Sequence, residues 1–183
     1  MQSIELNDRF RHALELMENT STSLFVTGRA GTGKSTLLSY FRDHTKKNIV
    51  VLAPTGVAAV NVKGQTIHSF FGFKPDVTLQ KIRKVEKRMG KKNTIYTKLD
   101  AIVIDEISMV RADLLDCVDK FLRLNGPKST RPFGGIQMIF IGDLYQLPPV
   151  LTSADRLAFS EQYASPYFFA ARVFSPEQTL LSD

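Results

Sequence analysis

Cysteine is nearly absent from this chain. Cys117 stands alone among 183 residues, so no internal disulfide can form, and a reducing compartment is the simple expectation. Long apolar runs are missing too. None approaches the ~18–20 residues that a membrane-spanning helix needs, so no membrane partner is expected. No secretory leader is expected, because Glu5 and Asp8 fall where a basic segment and an apolar stretch would belong. There is no internal repeat, no low-complexity tract and no linker that would split two full domains. What is present is ordinary globular material: 43% hydrophobic and 23% charged, near the usual ~45–50% and ~25%. That balance excludes a disordered tail, a collagen-like fibre and a coiled coil. A chain of this length buries about 70% of its unfolded surface, enough for a real core.

Charge is unevenly placed. Residues 74–98 carry Lys74, Lys81, Arg83, Lys84, Lys87, Arg88, Lys91, Lys92 and Lys98 against Asp76 and Glu86. Nine minus two is +7, and the whole chain is +6, so the remainder is −1. A near-neutral body with one basic segment has two readings: a polyanion partner such as nucleic acid, or a solvated surface.

The apolar pattern alternates strands with helices. Asn7 is placed to cap a helix whose stripe is Phe10, Ala13, Leu14 and Met17. Strands are expected at 24–27, 49–52, 101–104 and 136–141, with a possible start of another at Leu180-Leu181. Helices are expected at 34–44, from Gly56 through Val60, and along Leu114, Leu115, Val118, Phe121 and Leu122. Leu79, Ile82, Val85 and Met89 make a thin helical stripe inside the basic stretch. Tyr167-Phe168-Phe169 and Val173-Phe174 read as core or docking contacts. Such alternation predicts an α/β fold, a parallel sheet covered by helices on both faces.

The sharpest motif is Gly28, Arg29, Ala30, Gly31, Thr32, Gly33, Lys34 and Ser35, followed by Thr36. It matches G-x-x-x-x-G-K-S/T between an expected strand and an expected helix. Glycines let successive N–H groups turn inward as an anion nest, and the helix N-terminus adds partial positive charge. Lys34 can then reach the β- and γ-phosphates of ATP, and the Ser35 hydroxyl can ligate Mg²⁺. The run Ile102-Val103-Ile104-Asp105-Glu106 puts two carboxylates just past an apolar strand, where ligands of open parallel sheets sit. Asp105 suits Mg²⁺, and Glu106 suits orienting and polarising an attacking water. Gly142-Asp143-Leu144-Tyr145-Gln146-Leu147-Pro148-Pro149 also follows a strand. Gln146 reads either as a γ-phosphate sensor or as a surface residue on a proline-stiffened turn.

Together GRAGTGKST, APTGVAAVNVKGQTIHSFFGF, AIVIDEISMV and PFGGIQMIFIGDLYQLPPV resemble the Pif-type DNA helicases, the RecD-like branch of superfamily one. The resemblance runs from about Leu6 to Phe174 and leans toward bacterial members, which implies a cytoplasmic location. Residues 114–123 look like the family's signature helix. The resemblance implies a P-loop NTPase of RecA-like fold, the first of two such domains in a 5′-to-3′ DNA helicase driven by ATP and Mg²⁺. Its implied partners are single-stranded DNA, single-strand/duplex junctions, and the second RecA-like domain of the same parent chain, expected beyond Asp183. Lys34, Glu106 and Gln146 would take the catalytic roles, and Ser35 and Asp105 the metal.

By the same resemblance, Pro54, Thr55, Gly56 and Val57 would grip the single strand, as would Thr66, His68, Ser69 and Phe70. Taken from the residues alone, His68 reads equally as a hydrogen-bonded structural histidine, and Phe70-Phe71 as core. The basic insertion at 72–98 falls where the family places a small wedge element. One departure concerns the base: Arg11 stands where the family has an adenine-reading glutamine, and residues 7–18 contain no glutamine. Two other classes stay open: a P-loop ATPase acting on proteins, and a nucleotide-binding module without catalysis.

Overall fold

A computed structural model describes residues 8–85, 94–153 and 155–175. In chain order the regular elements are α1 (Asp8–Asn19), β1 (Leu24–Thr27), α2 (Lys34–His44), β2 (Ile49–Ala53), α3 (Gly56–Asn61), β3 (Gln65–Thr66), α4 (Ile67–Phe71), α5 (Thr94–Lys98), β4 (Ala101–Ile104), α6 (Ala112–Asn125), β5 (Gln137–Gly142) and α7 (Arg156–Ser160). Short 3₁₀ turns at 79–81, 107–109, 132–135, 168–170 and 172–174 fill the connections. The five strands form one all-parallel sheet in the order β1-β5-β4-β2-β3. No helix among the described residues is long and apolar enough to cross a membrane.

The strands are apolar on both sides, and their two-residue period sorts each side chain to one face. Val51, Ala53, Ala101, Val103, Ile139 and Ile141 meet Met17 of α1, Leu37, Leu38 and Phe41 of α2, and Ala59 of α3. Leu52, Ile102, Ile104, Met138 and Phe140 face the other way, into Ile67, Phe71, Tyr96, Leu115, Val118, Phe121 and Leu122. The second face is rich in aromatics. Phe71, Phe73, Tyr96 and Phe121 contact one another at centroid distances of 4.9–6.1 Å, so truncating Phe121 to alanine should cost about 3–5 kcal/mol.

Polar anchors close the ends. Lys47 Nζ donates to the Met17 and Thr20 carbonyls and to Gln137 Oε1, each at 2.6 Å. The cation thereby caps the C-terminus of α1 and pins it to β5; its burial lowers its pKa. On α6, the buried Asp116 carboxylate accepts from the Tyr163 hydroxyl at 2.8 Å and from the Arg172 and Val173 N–H groups at 3.1 Å. Asp119 accepts from the Phe133 N–H at 2.6 Å and from Arg123 at 2.8 Å. Phe133 has φ +52°, so this bond holds a backbone conformation that bulky residues avoid. Cys117, between them, is buried, and burial with Asp113 and Asp116 nearby pushes its thiol up to about 12, which leaves it unreactive.

The expected strands and the helix at 34–44 are found with shifts of one residue at most. Asn7, Met89 and Leu180-Leu181 lie outside the described residues. The helical stripe through Leu79, Ile82 and Val85 is not borne out. Only one 3₁₀ turn forms, Leu79–Lys81, and 82–85 are irregular. Helix α6 supplies the reason. Lys120 Nζ bonds the Leu79 carbonyl at 2.9 Å and Asn125 Oδ1 accepts the Val85 N–H at 2.9 Å, so tertiary partners satisfy backbone groups that a helix would have paired. The two-residue β3 and the short α5 were not anticipated. Of the apolar residues near the end, Phe168 and Val173 are buried, while Phe169 and Phe174 stay exposed.

Candidate functional site

The carboxyl ends of β1, β5 and β4 lie side by side, with Thr27 opposite Gly142 and Ile104 opposite Phe140. Each strand releases a loop there. The first is the glycine-rich loop 28–33. Gly31 and Gly33 have φ +79° and +90°, a region that residues with a Cβ rarely adopt. A Cβ at Gly33 would also lie 3.2 Å from the Phe10 ring, so the start of α1 abuts the loop. The Thr32 hydroxyl donates to the Arg29 carbonyl at 2.8 Å. Lys34 opens α2, and its ammonium donates to the Gly28 and Arg29 carbonyls. Ser35 and Thr36, in the first turn of α2, are exposed.

The second loop follows β4. The Asp105 N–H donates to the Leu52 carbonyl of β2 at 2.9 Å, which fixes the chain as it leaves the strand. Glu106 then takes φ +52°, ψ +40°, a left-handed conformation uncommon for a glutamate and characteristic of strained functional positions. Burial raises the pKa of Asp105, opposed by the Glu106 N–H and the Lys34 charge. Burial also raises that of Glu106, reinforced by Asp105 and Asp143 and opposed by Lys34. The same cation thus acts on both carboxylates, which places Lys34 between the first and second loops.

The third loop follows β5. A Cβ at Gly142 would lie 2.9 Å from Ile107 Cγ2 and 3.3 Å from the Ile107 and Ser108 backbone nitrogens, so glycine is what lets this loop pack against the Glu106 turn. Asp143 follows. It is buried, and its carboxylate accepts from the Tyr145 N–H at 3.0 Å and from Gln146 Nε2 at 3.1 Å. Those bonds, with the Lys34 charge, hold its pKa below the ordinary value. Gln146 itself is exposed. Lys34, Asp105, Glu106 and Gln146 are therefore brought to one edge. Asp143 belongs with them and was missed as a site residue. Its signal was the Asp-x-x-Gln spacing, which lets a short acidic side chain fold onto its own turn.

The residues expected at nucleic acid lie along the same edge, beyond β4. Ala53 pairs with Thr66, so α3 and α4 both start at the ends of adjacent strands. Thr55 caps α3 by accepting the Ala58 N–H at 3.2 Å, and Thr66 caps α4 by accepting the Ser69 N–H at 3.1 Å. Pro54 is half-buried, and Gly56 and Ser69 are exposed. Val57 and Val60, three apart on one face of α3, are 76% and 77% exposed. His68 is half-buried and burial lowers its pKa. The Phe70 ring stands edge-on to Phe71 and Tyr96, and its carbonyl accepts from the Tyr96 hydroxyl at 3.0 Å. Phe71 is core, while Phe70 is half-buried. In the basic segment Lys81 pairs with Asp76 and Arg83 donates to the Gln80 and Ile82 carbonyls; Lys87, Arg88, Lys91 and Lys92 lie outside the described residues.

Mg²⁺ is a hard cation that takes oxygen ligands, commonly one or two from the protein. The donor chemistry of Ser35 and Asp105, a hydroxyl and a carboxylate at neighbouring loops, fits it. Among the described residues no cluster of three or more His, Cys, Asp or Glu side chains forms a self-contained metal site.

The profile of the PIF1-like helicases matches residues 5–166. The chain is 39% identical over 160 residues to the ATP-dependent DNA helicase PIF1 of Emericella nidulans, covering 81% of this chain and 21% of that protein. It is 36% identical over 162 residues to the ATP-dependent DNA helicase Pif1 of Bdellovibrio bacteriovorus, covering 85% and 36%. The solved Pif1 helicase from Bacteroides in complex with ADP-AlF3 and ssDNA superposes with a TM-score of 0.82 at 39% identity, over 94% of this chain and 40% of that one. The chain thus spans about a fifth to two fifths of the length of these proteins.

Proposed function

This chain belongs to the PIF1-like helicase family, and on that premise we propose that it is the first RecA-like domain of an ATP-dependent 5′-to-3′ DNA helicase. The observation that carries the reading is the convergence of Lys34, Asp105, Glu106 and Gln146 on three adjacent strand ends. N–H groups of the phosphate loop and the first turn of α2 cradle the phosphates. Lys34 exchanges its loop carbonyls for β- and γ-phosphate oxygens. Ser35 and Asp105 would hold Mg²⁺, which when bound neutralises phosphate charge. Glu106, whose pKa burial raises, orients the attacking water and takes its proton as the bond between the γ-phosphorus and the β-phosphate oxygen breaks. Gln146 contacts the γ-phosphate and relays its presence to the strand ends that carry α3 and α4. Arg11, exposed and paired with Asp8 at 3.2 Å, takes the place of an adenine reader, so selectivity among bases is weak.

The nucleic-acid side is proposed as Pro54, Thr55, Gly56, Val57, Thr66, His68, Ser69 and Phe70. Backbone N–H groups and hydroxyl protons at these helix starts suit phosphate oxygens, and an aromatic edge suits an unstacked base. The basic stretch within 72–98 would meet duplex at a junction. The full activity needs the second RecA-like domain: an arginine finger supplied from such a partner surface is worth ~10³–10⁵ in rate in related phosphoryl transfers. Alone, this chain is expected to bind nucleotide, hydrolyse it slowly and not unwind.

The test is fluorescence anisotropy of labelled single-stranded and forked DNA, with and without a non-hydrolysable ATP analogue, across a salt series. Single-strand affinity that changes with nucleotide is expected. Fast DNA-stimulated hydrolysis by this chain alone would refute the need for the second domain. Nucleotide binding without any DNA affinity, both alone and with a second RecA-like domain of the family joined to this chain, would turn the reading toward a protein-directed ATPase.

A further inference from the structure

The register that sets Thr27 against Gly142 has a consequence one residue further on. The phosphate loop begins on one strand just where Asp143 stands on its neighbour. Asp143 is 3% exposed. One carboxylate oxygen accepts the Tyr145 N–H at 3.0 Å, and the other accepts Gln146 Nε2 at 3.1 Å. The pairing of β1 with β5 sets this carboxylate beside the start of the phosphate loop. The backbone closes the same turn, since the Gln146 N–H donates to the Asp143 carbonyl at 3.1 Å. One buried side chain at the edge of the phosphate loop therefore ties its own turn to the Gln146 amide.

The chemistry of that tie is directional. An ionised carboxylate only accepts hydrogen bonds, so Gln146 can meet it only with its NH2 end. One amide N–H is used on Asp143, and the second N–H and Oε1 remain for ligand. We propose that Asp143 is a positioning residue: it closes the turn carrying Gln146 beside the phosphate loop and dictates the face that the Gln146 amide turns toward a terminal phosphate, so that this turn distinguishes a nucleoside triphosphate from a diphosphate. The inference rests on the reading that nucleotide binds at this loop.

Asp143→Asn tests it with almost no change of shape. The asparagine oxygen can keep the Tyr145 N–H, which leaves its NH2 facing Gln146. Gln146 must then reverse its amide to offer Oε1. The chain contains no tryptophan and Tyr145 is 89% exposed, so Tyr145→Trp supplies a single fluorescent reporter on this turn. The Tyr145→Trp protein and its Asp143→Asn derivative are titrated with ADP and with a non-hydrolysable ATP analogue in Mg²⁺. In the derivative, ADP affinity is expected to hold, and the preference for triphosphate to fall by roughly tenfold or more, the worth of one charge-assisted hydrogen bond. The triphosphate-specific fluorescence change should be lost with it.

An unaltered triphosphate-to-diphosphate ratio overturns the inference alone. Equal loss of both affinities also overturns it, since that is what simple structural support would give. Binding of neither nucleotide by the Tyr145→Trp parent brings down the nucleotide reading, and this inference with it. Should Asp143→Asn not fold, as judged by a cooperative melt, Gln146→Ala leaves the Asp143–Tyr145 bond intact. It must remove the same preference while ADP affinity holds, and a retained preference refutes the assignment.

Discussion

Two stretches of one sheet edge are built from different chemistry. At the ends of β1, β5 and β4, charged groups crowd one another: burial pushes the carboxyls of Asp105 and Glu106 up while Lys34 opposes the shift in both. At the ends of β2 and β3, polar side chains are neutral and locally satisfied, since the Thr55 and Thr66 hydroxyls cap their own helices. The first stretch carries electrostatic strain that a charged ligand would relieve. The second is already at rest, so anything it binds adds to a stable surface. Substitutions should therefore trade stability against function at the first stretch, and lose stability outright at the second.

The largest expected effect tests the strained side. Glu106→Gln should slow single-turnover hydrolysis by about 10²–10⁴ with nucleotide affinity retained. It should also raise the melting temperature, because a half-buried charge beside Asp105 and Asp143 is removed. A lower melting temperature would break the contrast. Next comes the basic segment. Replacing Lys87, Arg88, Lys91 and Lys92 together with alanine should flatten the salt dependence of DNA affinity by about one unit of slope per lost phosphate contact, and an unchanged slope would assign them to solvent.

On the resting side, Thr55→Ala and Thr66→Ala should each cost about 0.5–2 kcal/mol of stability, the usual worth of a helix cap, measured by denaturant melts. Thr55→Ser, which keeps the cap, separates that cost from any loss of single-strand affinity. The smallest effect concerns His68. Burial lowers its pKa in the folded chain, so the unfolded chain binds the proton more readily. The neutral form's contribution is present above the unfolded pKa, near 6.5, and is lost as pH falls below it. His68→Gln should flatten the pH dependence of the melting temperature between pH 7.5 and 5.5, compared with the parent.

How far the sequence could be read follows the same divide. The phosphate loop and the acidic pair were legible because local chemistry prescribes them: glycines at left-handed positions, a lysine at a helix start, carboxylates at a strand end. Asp143 was passed over because its importance comes from lying beside the glycine-rich loop, more than a hundred positions earlier in the chain, and only the pairing of β1 with β5 brings the two together. The stripe at Leu79, Ile82 and Val85 misled for the converse reason. Its spacing suited a helix, but Lys120 and Asn125 offered its backbone other partners. The buried carboxylates Asp116 and Asp119 looked like the polar face of an amphipathic helix. They instead anchor Tyr163, Arg172, Val173 and Phe133.

By itself, then, the sequence determined the alternation of strands and helices, the all-parallel sheet with two covered faces, and the glycine-rich loop and acidic pair at its strand ends. All of these depend on periodicity and on residue types within a few positions of one another. The tertiary structure decided which loops share an edge, the strained backbone of Glu106, the placing of the Asp143 turn beside the glycine-rich loop, and the collapse of a would-be helix onto α6. Those depend on strand order and on hydrogen-bond partners far away in the chain, and a backbone group takes whichever partner the folded neighbourhood supplies.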